Sequence, residues 1–128
     1  MYSYKIRVEF EDIDCYGIIH HPKILYYLER TRVHFFMENG VELSGYPYGI
    51  VVRNINIQYK SMLLMFDEID VELRVNNIDK YRFDFDYSIK KEGKTAIIAT
   101  IQLVVIDKNS KKFTGIPDDM LKLFEKLV

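Results

Sequence analysis

Tyr4, Ile6, Val8 and Phe10 alternate with Lys5, Arg7, Glu9 and Glu11, and the same period of two returns in three later segments. Ile55, Ile57 and Tyr59 alternate with Asn54, Asn56, Gln58 and Lys60. Ile69, Val71, Leu73 and Val75 alternate with Glu68, Asp70, Glu72 and Arg74, and Tyr81, Phe83, Phe85 and Tyr87 with Arg82, Asp84, Asp86 and Ser88. A strand turns successive side chains to opposite faces, so each segment predicts a strand with one face in a core and the other in water. The last such segment, "TAIIATIQLVVID", is apolar at nearly every position, which predicts a strand in the middle of the sheet, covered on both faces. The short connections "NNIDK" and "KKEGK" read as hairpin turns, so the strands after the helix are expected to run as an antiparallel meander.

One helix interrupts this pattern, over about Pro22 to Asn39. Pro22 suits a first helical position, where its missing N–H costs nothing, and Gly40 suits the left-handed position just past the end. Ile24, Leu28, Thr31 and Phe35 form one stripe, while Leu25, Tyr26, Tyr27, Val33, Phe36 and Met37 widen the apolar surface around it. Such a helix is expected to be buried on several sides. A second, shorter helix, "PDDMLKLFEKLV", closes the sequence with Asp118 and Asp119 in its first turn, where the helix dipole favours acids. The fold class is therefore α+β: a curved antiparallel five-stranded sheet wrapped around one long central helix, in a single domain spanning 1–128. Open sheet edges and an uncovered helix face are liabilities that pairing of two subunits removes, so a homodimer, or a homotetramer built from it, is expected.

The bulk chemistry excludes several partners. A formal net charge of −1 gives no basic footprint for nucleic acid. The one cysteine, Cys15, cannot form an internal disulfide, and its adjacency to Asp14 argues against a reactive thiolate, so it reads as a small packing residue. The N-terminus has no apolar signal-peptide core, and no apolar run approaches the ~20 residues that span a bilayer. A soluble, cytoplasmic protein is the expectation.

The loop "EDIDCYGIIHHP" before the helix concentrates reactive groups. One reading is turn chemistry alone: Asp12 and Asp14 as turn residues, Gly17 at a left-handed position, His21 as an N-cap. Metal binding is a second, with His20 and His21 as ligands, but neighbouring side chains seldom converge on one ion. The third histidine, His34, lies in mid-helix. A third reading uses the free amides of the helix start. With Pro22 lacking an N–H, the donors are His21, Lys23 and Ile24, which could hold a developing oxyanion beside an upstream carboxylate.

The run "VEFEDIDCYGIIHHPKILYYLERTR" resembles the signature of hotdog-fold acyl-CoA thioesterases of the 4-hydroxybenzoyl-CoA thioesterase type, including the short-chain bacterial branch associated with the Tol-Pal system. Phe10, Asp12, Asp14, Gly17, Ile18, Ile19 and His21 fall in step with that pattern. "INIQYKSMLLMFDEIDVELRV" and "FTGIPDDM" resemble its later segments. The resemblance implies a hotdog fold and hydrolysis of a small or medium acyl-CoA to free acid and CoA, without cofactor or metal. It implies Asp14 as nucleophile or general base, the His21 backbone amide as the group polarising the carbonyl, and Gly17 as the residue that lets the loop pass close to substrate. His20 is more in keeping with a polar contact. Glu29 is either a second carboxylate for the pocket or half of a helix ion pair. Lys60, with Lys111 and Lys112, offers cations for CoA phosphates. The usual Asn-Tyr after the helix start is Lys23-Ile24 here, and the usual Pro-Ala is Met62-Leu63, both at positions that shape the acyl pocket. Two rivals stand beside this reading: a hotdog hydroxyacyl dehydratase using His20 or His21 with Glu29, and a non-catalytic acyl-CoA binder.

Overall fold

The computed structural model describes residues 1–128. Strand β1 (Tyr2–Arg7) leads through a short 3-10 turn at Phe10–Asp12 and an irregular loop into helix α1 (His21–Glu38). Strands β2 (Tyr48–Tyr59), β3 (Glu68–Asn76), β4 (Arg82–Lys91) and β5 (Lys94–Asp107) follow, then helix α2 (Asp118–Phe124). All neighbours in the sheet are antiparallel, in the order β1-β3-β4-β5-β2.

The alternating residues do what their period requires. Ile69, Val71, Leu73 and Val75 of β3, Phe83, Phe85, Tyr87 and Ile89 of β4, and Ala99, Ile101, Leu103 and Val105 of β5 are buried on one face. The opposite face carries Glu72, Arg74, Asp86, Ser88 and Thr100. The tight β4–β5 connection is a two-residue turn in which Glu92 (φ 53°) and Gly93 (φ 77°) are both left-handed, the geometry whose twist matches an antiparallel pair. Helix α1 ends as expected: Gly40 has φ 82°, and the Val41 N–H reaches back to the Phe36 carbonyl at 2.8 Å.

Four expectations are corrected. First, β3, β4 and β5 form a meander, but β2 pairs with β5 rather than β3, so the β2–β3 connection carries the chain from one edge of the sheet to the far side of β4. Second, β5 is the penultimate strand, with buried Ile97 and Ala99 flanking the exposed Ile98; its near-continuous apolar run is covered mainly on one face. Third, β1 ends at Arg7, and Phe10 is exposed in the 3-10 turn that follows. Fourth, α1 buries one face only, through Ile24, Tyr27, Leu28, Thr31, Arg32, Phe35 and Phe36. Leu25, Tyr26, Val33 and Met37 stay exposed, Tyr26 at 60 % and Met37 at 52 %. The buried face meets Tyr2 of β1 and Phe85 of β4 through Phe35 and Phe36, and Phe124 of α2 closes on Phe83 and Phe85.

The core holds one polar oddity. The Tyr87 hydroxyl is fully buried and makes no hydrogen bond. Burial pushes its phenol up to about 12, with the Arg32 guanidinium of α1 pulling the other way. An unpaired buried hydroxyl costs its desolvation and returns nothing. Tyr87→Phe is therefore expected to leave stability within about 0.5 kcal/mol of wild type or to raise it. Urea denaturation decides this, and a loss above about 1.5 kcal/mol would mean that the hydroxyl has a real partner in Arg32.

Candidate active site

The site begins with the way the loop before α1 is closed. The Asp14 N–H donates to the Ile18 carbonyl at 2.8 Å, and the Gly17 N–H donates to the Asp14 carbonyl at 3.1 Å. Asp14 then turns its own carboxylate back on the loop: Oδ1 accepts the Tyr16 N–H at 2.8 Å and the Ile18 N–H at 3.4 Å. Oδ2 accepts no hydrogen bond from the protein. Gly17 makes this ring possible with φ 78°; a Cβ there would meet open space, so the demand for glycine is conformational rather than steric. Short bridges between Ile13 and Ile19 and between Ile18 and Leu64, with the Ile19 N–H on the Leu63 carbonyl at 2.8 Å, tie the loop to the segment after β2.

A second carboxylate anchors the loop from inside. Asp12 is 9 % exposed, and its Oδ2 accepts the Tyr27 hydroxyl at 2.7 Å and the Glu9 N–H at 3.0 Å. The Lys23 ammonium stands 3.6 Å from Oδ1. The Asp12 main-chain carbonyl accepts the His20 N–H at 2.7 Å. Burial alone would raise the Asp12 carboxyl, but the bonds from Tyr27 and Glu9 and the charge of Lys23 outweigh it and hold the group below its ordinary value. Burial, with this carboxylate beside it, pushes the Tyr27 phenol above its own.

The helix start then presents fewer amides than the sequence offers. The Lys23 N–H is spent on the His20 carbonyl at 2.8 Å, which corrects its place among the free donors. The His21 N–H has no acceptor in the protein. Asp14 and His21 both line an open cleft of about 770 Å³, whose walls are Ile18, Ile19, Tyr59, Met62 and Leu64, with Lys60 and Ser61 at its side. A residue with an unpaired carboxylate oxygen and one with an unpaired amide, lining one apolar cleft, are the groups that could attack, or activate water toward, a carbonyl bound there.

The remaining sequence candidates separate. Gly17 shapes the loop and Lys60 lines the cleft, but His20 and Glu29 do not line it. Glu29 is exposed and lies 3.6 Å from Arg32, the helix ion pair that was one of its two readings. Cys15 is exposed, not packed, because the loop turns it away from the body of the protein. Lys111 and Lys112 sit on the turn after β5, outside the cleft. No group of three or more His, Cys, Asp and Glu side chains converges as metal ligands would. Sequence reasoning missed the weight of Asp12 and Tyr27. The available signal was a tyrosine in the middle of an apolar helix stripe, since a buried phenol needs an acceptor.

The pattern of the thioesterase-like superfamily matches residues 8–124. The chain belongs to that superfamily. A relative from Aquifex aeolicus is 27 % identical over 132 residues, covering 97 % of this chain and 98 % of its own. The acyl-CoA thioesterase YbgC of Haemophilus influenzae is 22 % identical over 130 residues, covering 98 % and 96 %. The crystal structure of a 1,4-dihydroxy-2-naphthoyl-CoA thioesterase from Synechocystis superposes with a TM-score of 0.88 at 17 % identity, covering 98 % of this chain and 96 % of that one. The five-stranded antiparallel sheet with its helix is thus the hotdog arrangement of these thioesterases.

The Asp12 carboxylate carries a pH signature. A carboxyl held low in the fold contributes fully above the ordinary value of 3.8, and that contribution is lost as the pH falls through its lower folded value. Asp12→Asn should cost about 1–3 kcal/mol near neutral pH, and the gap to wild type should narrow as the pH is lowered well below 3.8. Urea midpoints at the two pH values check this; an equal gap at both would show that the Asp12 charge plays no part.

Proposed function

We propose that this protein hydrolyses the thioester of a small or medium acyl-CoA to a free acid and CoA. The observation that carries the reading is that Asp14, with Oδ2 free of protein partners, and His21, with its N–H free of them, both line one apolar cleft at the start of α1. The thioester carbonyl oxygen would accept the His21 amide, and the positive end of α1 would stabilise the charge that develops there. Asp14 then either attacks the carbonyl carbon, giving an anhydride that water opens, or takes a proton from the water that attacks. On either route the tetrahedral intermediate expels CoA as a thiolate. Sulfur lends a thioester little resonance, so one amide and one carboxylate are a sufficient set. The apolar walls suit an acyl group, and Lys60 at the side of the cleft would meet CoA phosphates. CoA thioesters are also what the YbgC relative and the Synechocystis neighbour are named for.

The dehydratase alternative pairs His20 or His21 with Glu29, and Glu29 lies outside the cleft, 3.6 Å from Arg32. The binder alternative has no use for a carboxylate left unpaired beside a free amide.

The acting form on this reading is a homodimer with its sites near the subunit interface. Strand β2 is a 12-residue sheet edge with no strand on its outer side, Val52, Ile55 and Tyr59 on its inner face stay exposed, and so does one face of α1. A long apolar edge left open would invite aggregation, and a second copy covers edge and helix together.

Two outcomes test the proposal. Asp14→Asn should lower thiol release from the preferred acyl-CoA by roughly 100-fold or more with the fold intact; a near wild-type rate removes Asp14 from the chemistry. Ile55→Lys should shift the molar mass by light scattering from dimer to monomer, and an unchanged mass would move the interface elsewhere.

A further inference from the structure

Asp12 is a buried carboxylate that the proposed chemistry does not use, yet it joins the loop that carries Asp14 to the first two turns of α1. Its Oδ2 holds the second turn of α1 through the Tyr27 hydroxyl at 2.7 Å and the end of the β1 segment through the Glu9 N–H at 3.0 Å. Its Oδ1 faces the first turn through Lys23 at 3.6 Å, and its carbonyl fixes His20, the residue before the free amide, at 2.7 Å. Asp14 follows two positions later on the same loop. The loop is also tied to the segment after β2, by the Ile18–Leu64 bridge and the Ile19 N–H on the Leu63 carbonyl, but of these fastenings only those of Asp12 reach the side chains of α1.

Lys23 sets a cation against a buried anion. An amide could bond to Asp12, but it could not balance its charge. The side chains of Asp12 and Lys23 are 13 % and 33 % exposed, so the pair is screened less than a surface one. None of Asp12, Lys23 and Tyr27 lines the cleft.

We propose that Asp12, Lys23 and Tyr27 form a latch of positioning residues that holds the Asp14 loop in register with the His21 amide, and so governs turnover rather than substrate binding. The proposal rests on the thioesterase reading for its kinetic consequence, though not for its structural one. A shift of the loop by about an ångström would leave the cleft able to accept an acyl group while misaligning the carboxylate and the amide, a kind of misplacement that costs up to roughly 100-fold in rate.

The test uses the full chain in four forms: wild type, Asp12→Asn, Lys23→Met and Tyr27→Phe. The latter two keep most of the packing, so they remain informative should Asp12→Asn fold poorly. With the acyl-CoA that wild type hydrolyses best, each folded variant should lower kcat roughly 10- to 100-fold with KM within about threefold. The double variant Asp12→Asn/Lys23→Met should be no slower than Asp12→Asn alone, since both remove the same latch. Amide hydrogen exchange, followed by mass spectrometry on each form, should accelerate over residues 14–21 while β3 and β4 keep their wild-type protection. An unchanged kcat in a folded variant, a loss carried wholly by KM, or acceleration spread evenly through the sheet would each overturn the latch. If wild type releases no thiol from any acyl-CoA, the thioesterase reading falls and the exchange arm alone decides: faster exchange confined to 14–21 sustains the latch as a device of the loop, and unchanged exchange there ends it.

Discussion

A phenol and a carboxylate, Tyr27 and Asp12, meet at 2.7 Å beneath the surface, and through them the helix is fastened to the loop that precedes it. A hydrogen bond to a charged group in such a place is worth about 1.5–3 kcal/mol, enough to fix one conformation of a loop that has little apolar burial of its own. The backbone at the start of α1 closes around the same acid. The His20 N–H is drawn onto the Asp12 carbonyl, the Lys23 N–H turns back to His20, and the His21 amide between them is left as an unspent donor. Asp14, turned the other way, closes its own small ring on Oδ1 and keeps Oδ2 open. One acid is fully engaged in the architecture, and its neighbour keeps an oxygen free.

The rest of the molecule supplies a rigid floor for this arrangement. The inner face of β3, β4 and β5 is a continuous apolar surface of Val, Ile, Leu, Phe and Tyr, and α1 lies on it through alternating large side chains such as Leu28, Phe35 and Phe36. Because α1 is held along its length, its first turn is a fixed reference point, and the free amide there points where the fold aims it. The same design leaves α1 and β2 half covered. Leu25, Tyr26, Val33 and Met37 of α1 and Val52, Ile55 and Tyr59 of β2 stay exposed, and Tyr59 also lines the cleft with His21. A second subunit seated there would close the acyl cleft as well as the sheet edge.

The sequence was most legible where a single physical rule acts alone. Period-two alternation placed β3 and β4, where one face is core and the other water, and Pro22 and Gly40 bracketed α1 to within a residue. Legibility fell where two influences meet. The register of β2 shifts between Val52 and Asn54, so Ile50 and Val52 share a face with Ile55, Ile57 and Tyr59 although the period breaks between them, and only the part after the break reads as a strand. The pairing of β2 with β5 rather than β3 depends on a crossover that no local pattern encodes. At the site, Asp14, Gly17 and His21 stood out through the resemblance. Asp12 was hidden because a buried acid and a turn acid look alike until the partner, fifteen residues away on a helix, is brought against it. Cys15 misled in the opposite sense, since a small residue beside Asp14 reads as packing but is exposed on the loop.

The central claim is geometric: a thioester carbonyl sits between the Asp14 carboxylate and the His21 amide. A crystal structure with a non-hydrolysable acyl-CoA analogue, its sulfur replaced by methylene, tests it most directly. The account predicts the carbonyl oxygen at about 3 Å from the His21 nitrogen, with a carboxylate oxygen of Asp14, or a water it holds, facing the carbonyl carbon. A carbonyl bound away from the His21 amide, or turned from Asp14 with no water between them, would contradict it.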